Sequence, residues 1–137
     1  IMSYSTKFSS ALYGPFREAG EGAPSFGDRT AYQMDFRRSN EWKLETLLDL
    51  EEGADMLMVK PGSLYLDILK QVAEISPVPV GVYHVSGEYS MIHAAAEKGW
   101  VDLKKIALES SYAFKRAGAK YIISYFSERM TDWLKQS

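Results

Sequence analysis

The chain has 137 residues, with 16 basic and 18 acidic side chains, a formal net charge of −2 and 46% hydrophobic content. This is the size of one modest globular domain, and the charge argues against a basic nucleic-acid binder. It has no cysteine, which excludes a disulfide-stapled fold and any thiolate metal site within this stretch. No apolar run of about 18 residues is present to span a membrane, so neither nucleic acid nor a membrane is an expected partner, and a cytoplasmic location is the default expectation.

The chain opens Ile1-Met2-Ser3-Tyr4-Ser5, as if already inside a strand and without an initiator Met, which reads as a fragment. Gly14 to Met34 follows as a long connection containing Gly14, Pro15, Gly20, Gly22, Pro24 and Gly27. Loops this long in compact domains are usually functional, and residues 14–34 are expected to form a lid carrying Arg17 and Arg29. Leu44, Leu47 and Leu48 give a helical stripe that ends before Gly53, a C-terminal cap. Met56 to Val59 reads as a second strand. Tyr65, Ile68, Leu69 and Val72 recur at i, i+3, i+4 and i+7, and Pro77 stops that helix. Val78 to Tyr83 is a third strand, and Met91 to Glu97 a short helix closed by Gly99. Asp102 then reads as the N-cap of a helix through Arg116, closed by Gly118. Tyr121 to Tyr125 is the fourth strand, and Ser127 caps a last helix carrying Trp133 and Leu134.

The strand runs are continuously apolar rather than alternating, as in parallel sheets covered on both faces. A β–α order repeated four times predicts an α/β fold. At about 34 residues per unit, eight such units have the usual length of a (β/α)₈ barrel. An open flavodoxin-like sheet is the other option and needs a fifth strand.

In both architectures the site lies at the C-terminal ends of the strands. Lys7, Lys60, His84 with Ser86, and Ser124 with Tyr125 follow the four strands. An ammonium at an apolar strand end is partly desolvated, and a second one nearby lowers its pKa further. The free amine attacks a ketone to form a Schiff base. The structural reading of the same lysines is ion pairing with Glu88, Asp28 or Asp67. Arg17 and Arg29 suit bidentate capture of a carboxylate, or else pair with Glu18, Glu21 or Asp28. Ser86 can equally cap a helix and Tyr125 fill the core. His84 reads as a hydrogen-bonded structural residue, and Trp42, Trp100 and Trp133 as packing.

Several stretches together resemble the porphobilinogen synthase (5-aminolevulinate dehydratase) family. They are Met2-Ser-Tyr-Ser-Thr-Lys-Phe8, Tyr13-Gly-Pro-Phe-Arg17, Phe26-Gly-Asp-Arg29 with Tyr32-Gln33, Gly53-Ala-Asp-Met-Leu-Met-Val-Lys-Pro61, Tyr65-Leu-Asp67, Tyr83-His-Val-Ser-Gly-Glu-Tyr89, Phe114-Lys-Arg-Ala-Gly-Ala119 and Ile122-Ile-Ser-Tyr125. The resemblance implies the C-terminal half, four βα units, of a single (β/α)₈ TIM-barrel domain over residues 1–137, with the N-terminal half absent from this chain. It implies a lyase that condenses two 5-aminolevulinate molecules to porphobilinogen with loss of two waters, in tetrapyrrole (heme) biosynthesis. By resemblance Lys60 binds the first substrate as a Schiff base and Lys7 engages the second. Arg17 and Arg29 match lid arginines that hold the second substrate's carboxylate, and Ser86 and Tyr125 match hydroxyls that hold the first's. Ala31 stands where zinc-dependent members carry Cys, so zinc is not supported within this chain. Glu45 aligns with a carboxylate that binds an allosteric Mg²⁺, its register counted across Phe36 to Trp42, where the pattern departs from the family's. The family also implies a homo-octamer of the full-length protein, and a plastid setting stands open beside the default cytoplasmic one. Two other readings stand beside this one: an aldolase-like Schiff-base lyase using Lys60, and an inactive fragment or interaction module.

Overall fold

The computed structural model describes residues 1–19, 33–38 and 40–136. Five strands form one sheet in the order β2-β1-β3-β4-β5, with every pairing parallel. They are β1 (Met2–Ser9), β2 (Met34–Asp35), β3 (Met56–Lys60), β4 (Val80–His84) and β5 (Tyr121–Ser124). The helices are α1 (Gly14–Ala19), α2 (Glu41–Glu51), α3 (Leu66–Ile75), α4 (Ser86–Glu97), α5 (Leu103–Arg116) and α6 (Ser127–Lys135). Among the described residues, no helix is long and apolar enough to cross a membrane.

The expected β–α rhythm is present, with differences that have physical causes. The sheet gains a strand, because two residues of β2 pair with the end of β1 at Phe8↔Met34 and Ser9↔Asp35. The segment read as a loop over 14–34 starts as α1 and ends in β2; residues 20–32 lie outside the described ones. The first strand runs to Ser9, not Ser5, so Lys7 lies inside it. Helix α4 begins at Ser86, not Met91, because Glu88 supplies the N-terminal hydrogen bond that a start signal needs.

One face of the sheet packs under helices. Phe8, Leu57, Val59 and Val82 join Leu69 and Val72 of α3 and Phe114 of α5 in the main core. The α3 stripe does what its spacing predicts: Ile68, Leu69 and Val72 are all buried. The α2 stripe does not. Leu44, Leu47 and Leu48 are exposed, at 61%, 47% and 43%, and the helix instead buries Trp42 and Thr46. Polar contacts fix that rotation: Ser3 Oγ donates to Asp49 at 2.6 Å, and the hydroxyls of Thr6 and Thr46 meet at 3.4 Å. Trp100 is also a correction, since it is 75% exposed and stacks under Lys98 rather than packing in a core.

Asp102 caps α5 as expected, its Oδ1 accepting from Lys105 N at 2.8 Å, and Lys115 and Arg116 face the carbonyl end of the helix dipole. Ser127 does not cap α6. Phe126 takes that place, and the Ser127 hydroxyl donates to the Ser124 carbonyl at 2.7 Å. His84 is fully buried on the helix side, edge-on to Phe114 at 5.3 Å, with Nδ1 3.2 Å from Ser124 Oγ. Burial pushes its pKa down, opposed by the Glu88 charge, which suits the structural role read for it.

Candidate active site

Between Ser3 and Thr6 the pairing of β1 with β3 slips by one residue. Ser3 and Thr6 therefore both face α2, although alternation alone would put them on opposite sides. Tyr4 and Lys7 correspondingly share the other face. Lys7 ends directly beside Lys60, its register partner across β1 and β3. Neighbouring strands lie about 4.8 Å apart, so the two ammonium stems rise side by side.

Lys60 is half-buried among aromatic rings. Its Nζ lies 4.2 Å from the ring centre of Tyr83, 5.4 Å from Tyr4 and 5.5 Å from Tyr13. Lys7 Nζ lies 5.9 Å from the same Tyr13 ring. Burial holds the Lys60 pKa below the ordinary lysine value of 10.5, and the Lys7 charge lowers it further. None of the ion pairs found among the described residues involves Lys60. Glu88, one of its candidate partners, instead accepts backbone N–H groups. Burial and the Lys7 charge make this amine easier to deprotonate than an ordinary lysine, while the ring faces attract its ammonium form; the free amine is the state that adds to a carbonyl.

Two hydroxyl-bearing residues stand at the same end of the sheet. Ser86 opens α4 one residue after Val85, which follows β4, and its Oγ is buried with no hydrogen-bond partner among the described residues. Buried polar atoms are nearly always paired, so an unpaired hydroxyl at a strand end is ready to serve a ligand. Tyr125 follows β5, is half exposed, and its ring lies 6.5 Å from that of Tyr83. It is therefore not a core residue. Burial and a hydrogen bond with Tyr125 push the Tyr83 hydroxyl above its ordinary value, so Tyr83 stays a neutral donor beside Lys60.

The structure thus brings Lys60, Lys7, Ser86 and Tyr125 to one rim. Arg17 lies on α1, but its side chain, together with the whole of Arg29 and Ala31, falls outside the described residues. Glu45 is on the exposed side of α2. It lines a cavity of about 340 Å³ with Glu41, Lys7 and the buried side chain of Gln33. Glu41 is already ion-paired with Arg38. Among the described residues no group of three or more His, Asp or Glu side chains could enclose a metal ion.

Sequence reasoning missed four contributors. Tyr4, Tyr13 and Tyr83 build the walls around Lys60, and no spacing rule marks them because they come from two strands and a turn. Glu88 was weighed only as an ion-pair partner. Its signal was available, as a Glu in the third position of a helix start.

Comparison with known proteins bears on the family and the fold. The family model for delta-aminolevulinic acid dehydratase matches residues 1–133. Similar proteins include the delta-aminolevulinic acid dehydratases of Synechocystis sp., 51% identical, and Streptomyces coelicolor, 54% identical; each alignment covers 98% of this chain and 41% of the relative. A solved structure of delta-aminolevulinic acid dehydratase (porphobilinogen synthase) from Toxoplasma gondii, in complex with its reaction product porphobilinogen, superimposes with a TM-score of 0.95 at 45% identity. It covers 100% of this chain and 40% of that one. The chain therefore spans about two fifths of the length of these relatives. Its sheet and helices are βα units of a (β/α)₈ barrel rather than an open flavodoxin-like sheet. With the matched segment running through Lys7, Lys60 and the Ser86 turn, the chain belongs to the delta-aminolevulinic acid dehydratase family.

Proposed function

We propose that this chain carries the imine-forming site of a porphobilinogen synthase, which joins two 5-aminolevulinate molecules into porphobilinogen and releases two waters. The observation that carries the reading is the pairing of Lys60 with Lys7 across adjacent strands, with the Lys60 amine walled by three tyrosine rings.

In this mechanism the Lys60 amine adds to the ketone of the first substrate and water leaves, giving a protonated imine. That imine is an electron sink and acidifies the neighbouring carbon. Lys7 engages the second substrate beside it, which turns a bimolecular condensation into a reaction between held partners. Ser86 and Tyr125 donate to the first substrate's carboxylate, and the unpaired Ser86 hydroxyl supports that assignment. Arg17 and Arg29 are assigned to the second carboxylate by family resemblance. For Mg²⁺, the exposed carboxylate of Glu45 beside Glu41 fits an ion that keeps most of its waters, since Mg²⁺ favours hard oxygen donors and sheds water reluctantly.

The test adds 5-aminolevulinate and borohydride to the protein and locates the reduced adduct by peptide mass spectrometry. We expect a stoichiometric adduct on Lys60 that Lys60→Ala removes, with pyrrole product formed by the intact polypeptide that carries these residues. An adduct on another residue of a folded sample would overturn the assignment. An adduct on Lys60 without pyrrole formation would favour a simpler Schiff-base lyase.

A further inference from the structure

Glu88 is 4% exposed, yet no positively charged group is paired with it among the ion pairs of the described residues. Its carboxylate is instead spread over backbone donors. Oε2 accepts from Val85 N at 2.7 Å and from Gly62 N at 3.3 Å, and Oε1 accepts from Ser63 N. The Val85 bond is a local helix-start contact three residues away. The other two are not: they reach 26 and 25 residues back in the sequence, to the loop that follows Lys60. Helix capping does not require them.

The two backbones joined by Glu88 are the two that carry the site. Lys60-Pro61-Gly62-Ser63 leads out of β3, and Val85-Ser86-Gly87 leads out of β4. Each is tightly seated elsewhere. A Cβ on Gly62 would come within 2.8 Å of the Phe114 ring, and a Cβ on Gly87 within 2.1 Å of the Leu12 carbonyl oxygen. The second contact also ties the Ser86 turn to the short 3₁₀ turn Ala11–Tyr13, whose Tyr13 ring lies by both lysines. A buried carboxylate taking three N–H donors is a set of charge-assisted bonds with fixed geometry.

We propose that Glu88 is a positioning residue that holds the Lys60 loop and the Ser86 turn at one separation, so that carboxylate capture at Ser86 aligns the ketone of the same substrate with the Lys60 amine. This rests on the reading of Lys60 and Ser86 given above. Glu88 touches no substrate; it acts through two segments of backbone.

The test measures borohydride trapping at Lys60 with two probes, in the intact polypeptide that carries these residues. One is 4-oxopentanoate, the substrate without its amine; the other is 2-pentanone, which lacks the carboxylate as well. Unmutated protein should trap the keto acid much faster than the neutral ketone. In Glu88→Gln that preference should fall about tenfold, while trapping of 2-pentanone stays within about threefold. A merely structural role would lower both ketones alike, and that result overturns the proposal, as does a folded Glu88→Gln that keeps the full preference. No Lys60 adduct in the unmutated protein would overturn the imine reading itself, and the proposal with it. Amide exchange of the unmutated protein gives a check that needs no variant. Keto acid should slow Gly62, Ser63 and Val85 together, whereas protection of Val85 alone overturns the coupling.

Discussion

The sheet presents two faces built from the same strands, and they obey different rules. Toward the helices, Leu57, Val59 and Val82 are wholly buried, and even the polar Thr6 and His84 on that side are sealed. Toward the other side stand Tyr4, Lys7, Lys60, Tyr83 and Tyr125, which are half-buried or exposed and carry the amines and hydroxyls. A strand whose residues alternate between the two serves stability with one set and chemistry with the other. The two meet at the strand ends, where Glu88 and Gly87 weld the loops.

The comparison breaks if helix-side changes alter chemistry first, or if changes on the other side unfold the protein. The largest effect is expected from Phe114→Ala, which empties a fully buried ring site. It should cost about 3–5 kcal/mol in denaturant unfolding, with the Lys60 adduct retained wherever the variant is folded. Gly87→Ala comes next, because its methyl has backbone, not a flexible side chain, in its way. A loss of about 1–3 kcal/mol is expected, together with slower trapping, since the weld serves both faces. A folded Gly87→Ala with unchanged stability would show that the turn has room the structure does not suggest.

Lys7→Met sharpens the comparison in the opposite sense. Removing the neighbouring charge should raise the Lys60 pKa toward 10.5, so the pH midpoint for imine trapping moves up and trapping at neutral pH falls. The stability change has the other sign. Because the folded pKa of Lys60 is depressed, the unfolded chain binds more protons between that lowered value and 10.5. Stability therefore rises with pH through this window and is reduced below it. Relieving the repulsion should stabilise the fold at neutral pH by roughly 0.5 kcal/mol, the scale of solvent-screened charge pairs. A midpoint that does not move would show that the two amines do not sense each other. The smallest effect is expected from Leu47→Gln on the exposed side of α2, within about 0.5 kcal/mol by thermal unfolding. A larger loss would mean that the leucine face is covered in the protein as it works.

Much of this was legible in the sequence for physical reasons. Met56 to Val59 is a continuous apolar run whose Leu57, Met58 and Val59 are buried on both faces, and that pattern exposes a parallel strand directly; Tyr121 to Ser124 pairs as a parallel strand too, although its residues are only partly buried. The α3 stripe was read correctly because its spacing and its burial coincide. On α2 they do not. Periodicity locates the stripe Leu44, Leu47, Leu48 but not what covers it, and Ser3–Asp49 and Thr6–Thr46 contacts turn the helix the other way. The lysines were found because an amine at an apolar strand end is costly. Their true neighbours were not, since Tyr4 and Tyr83 are gathered by strand register and Tyr13 by the turn after β1, which one sequence does not state. Glu88 was overlooked because a carboxylate near a lysine suggests an ion pair, while the helix start nearby supplied stronger donors.

The slipped register in β1 has one more consequence, which concerns inheritance rather than chemistry. One additional residue between Ser3 and Thr6 sets the phase of everything after it in that strand. Deleting the Tyr4 codon would leave Ser5-Thr-Lys-Phe8 intact as a motif, and any search by pattern would still find it. The lysine would nevertheless turn into the helix layer, and Phe8 would turn out of it. Function at this position is thus encoded by a count as well as by letters. A substitution of Tyr4 or Ser5 leaves the count unchanged, whereas losing either residue resets it, so substitutions here should be far better tolerated than deletions.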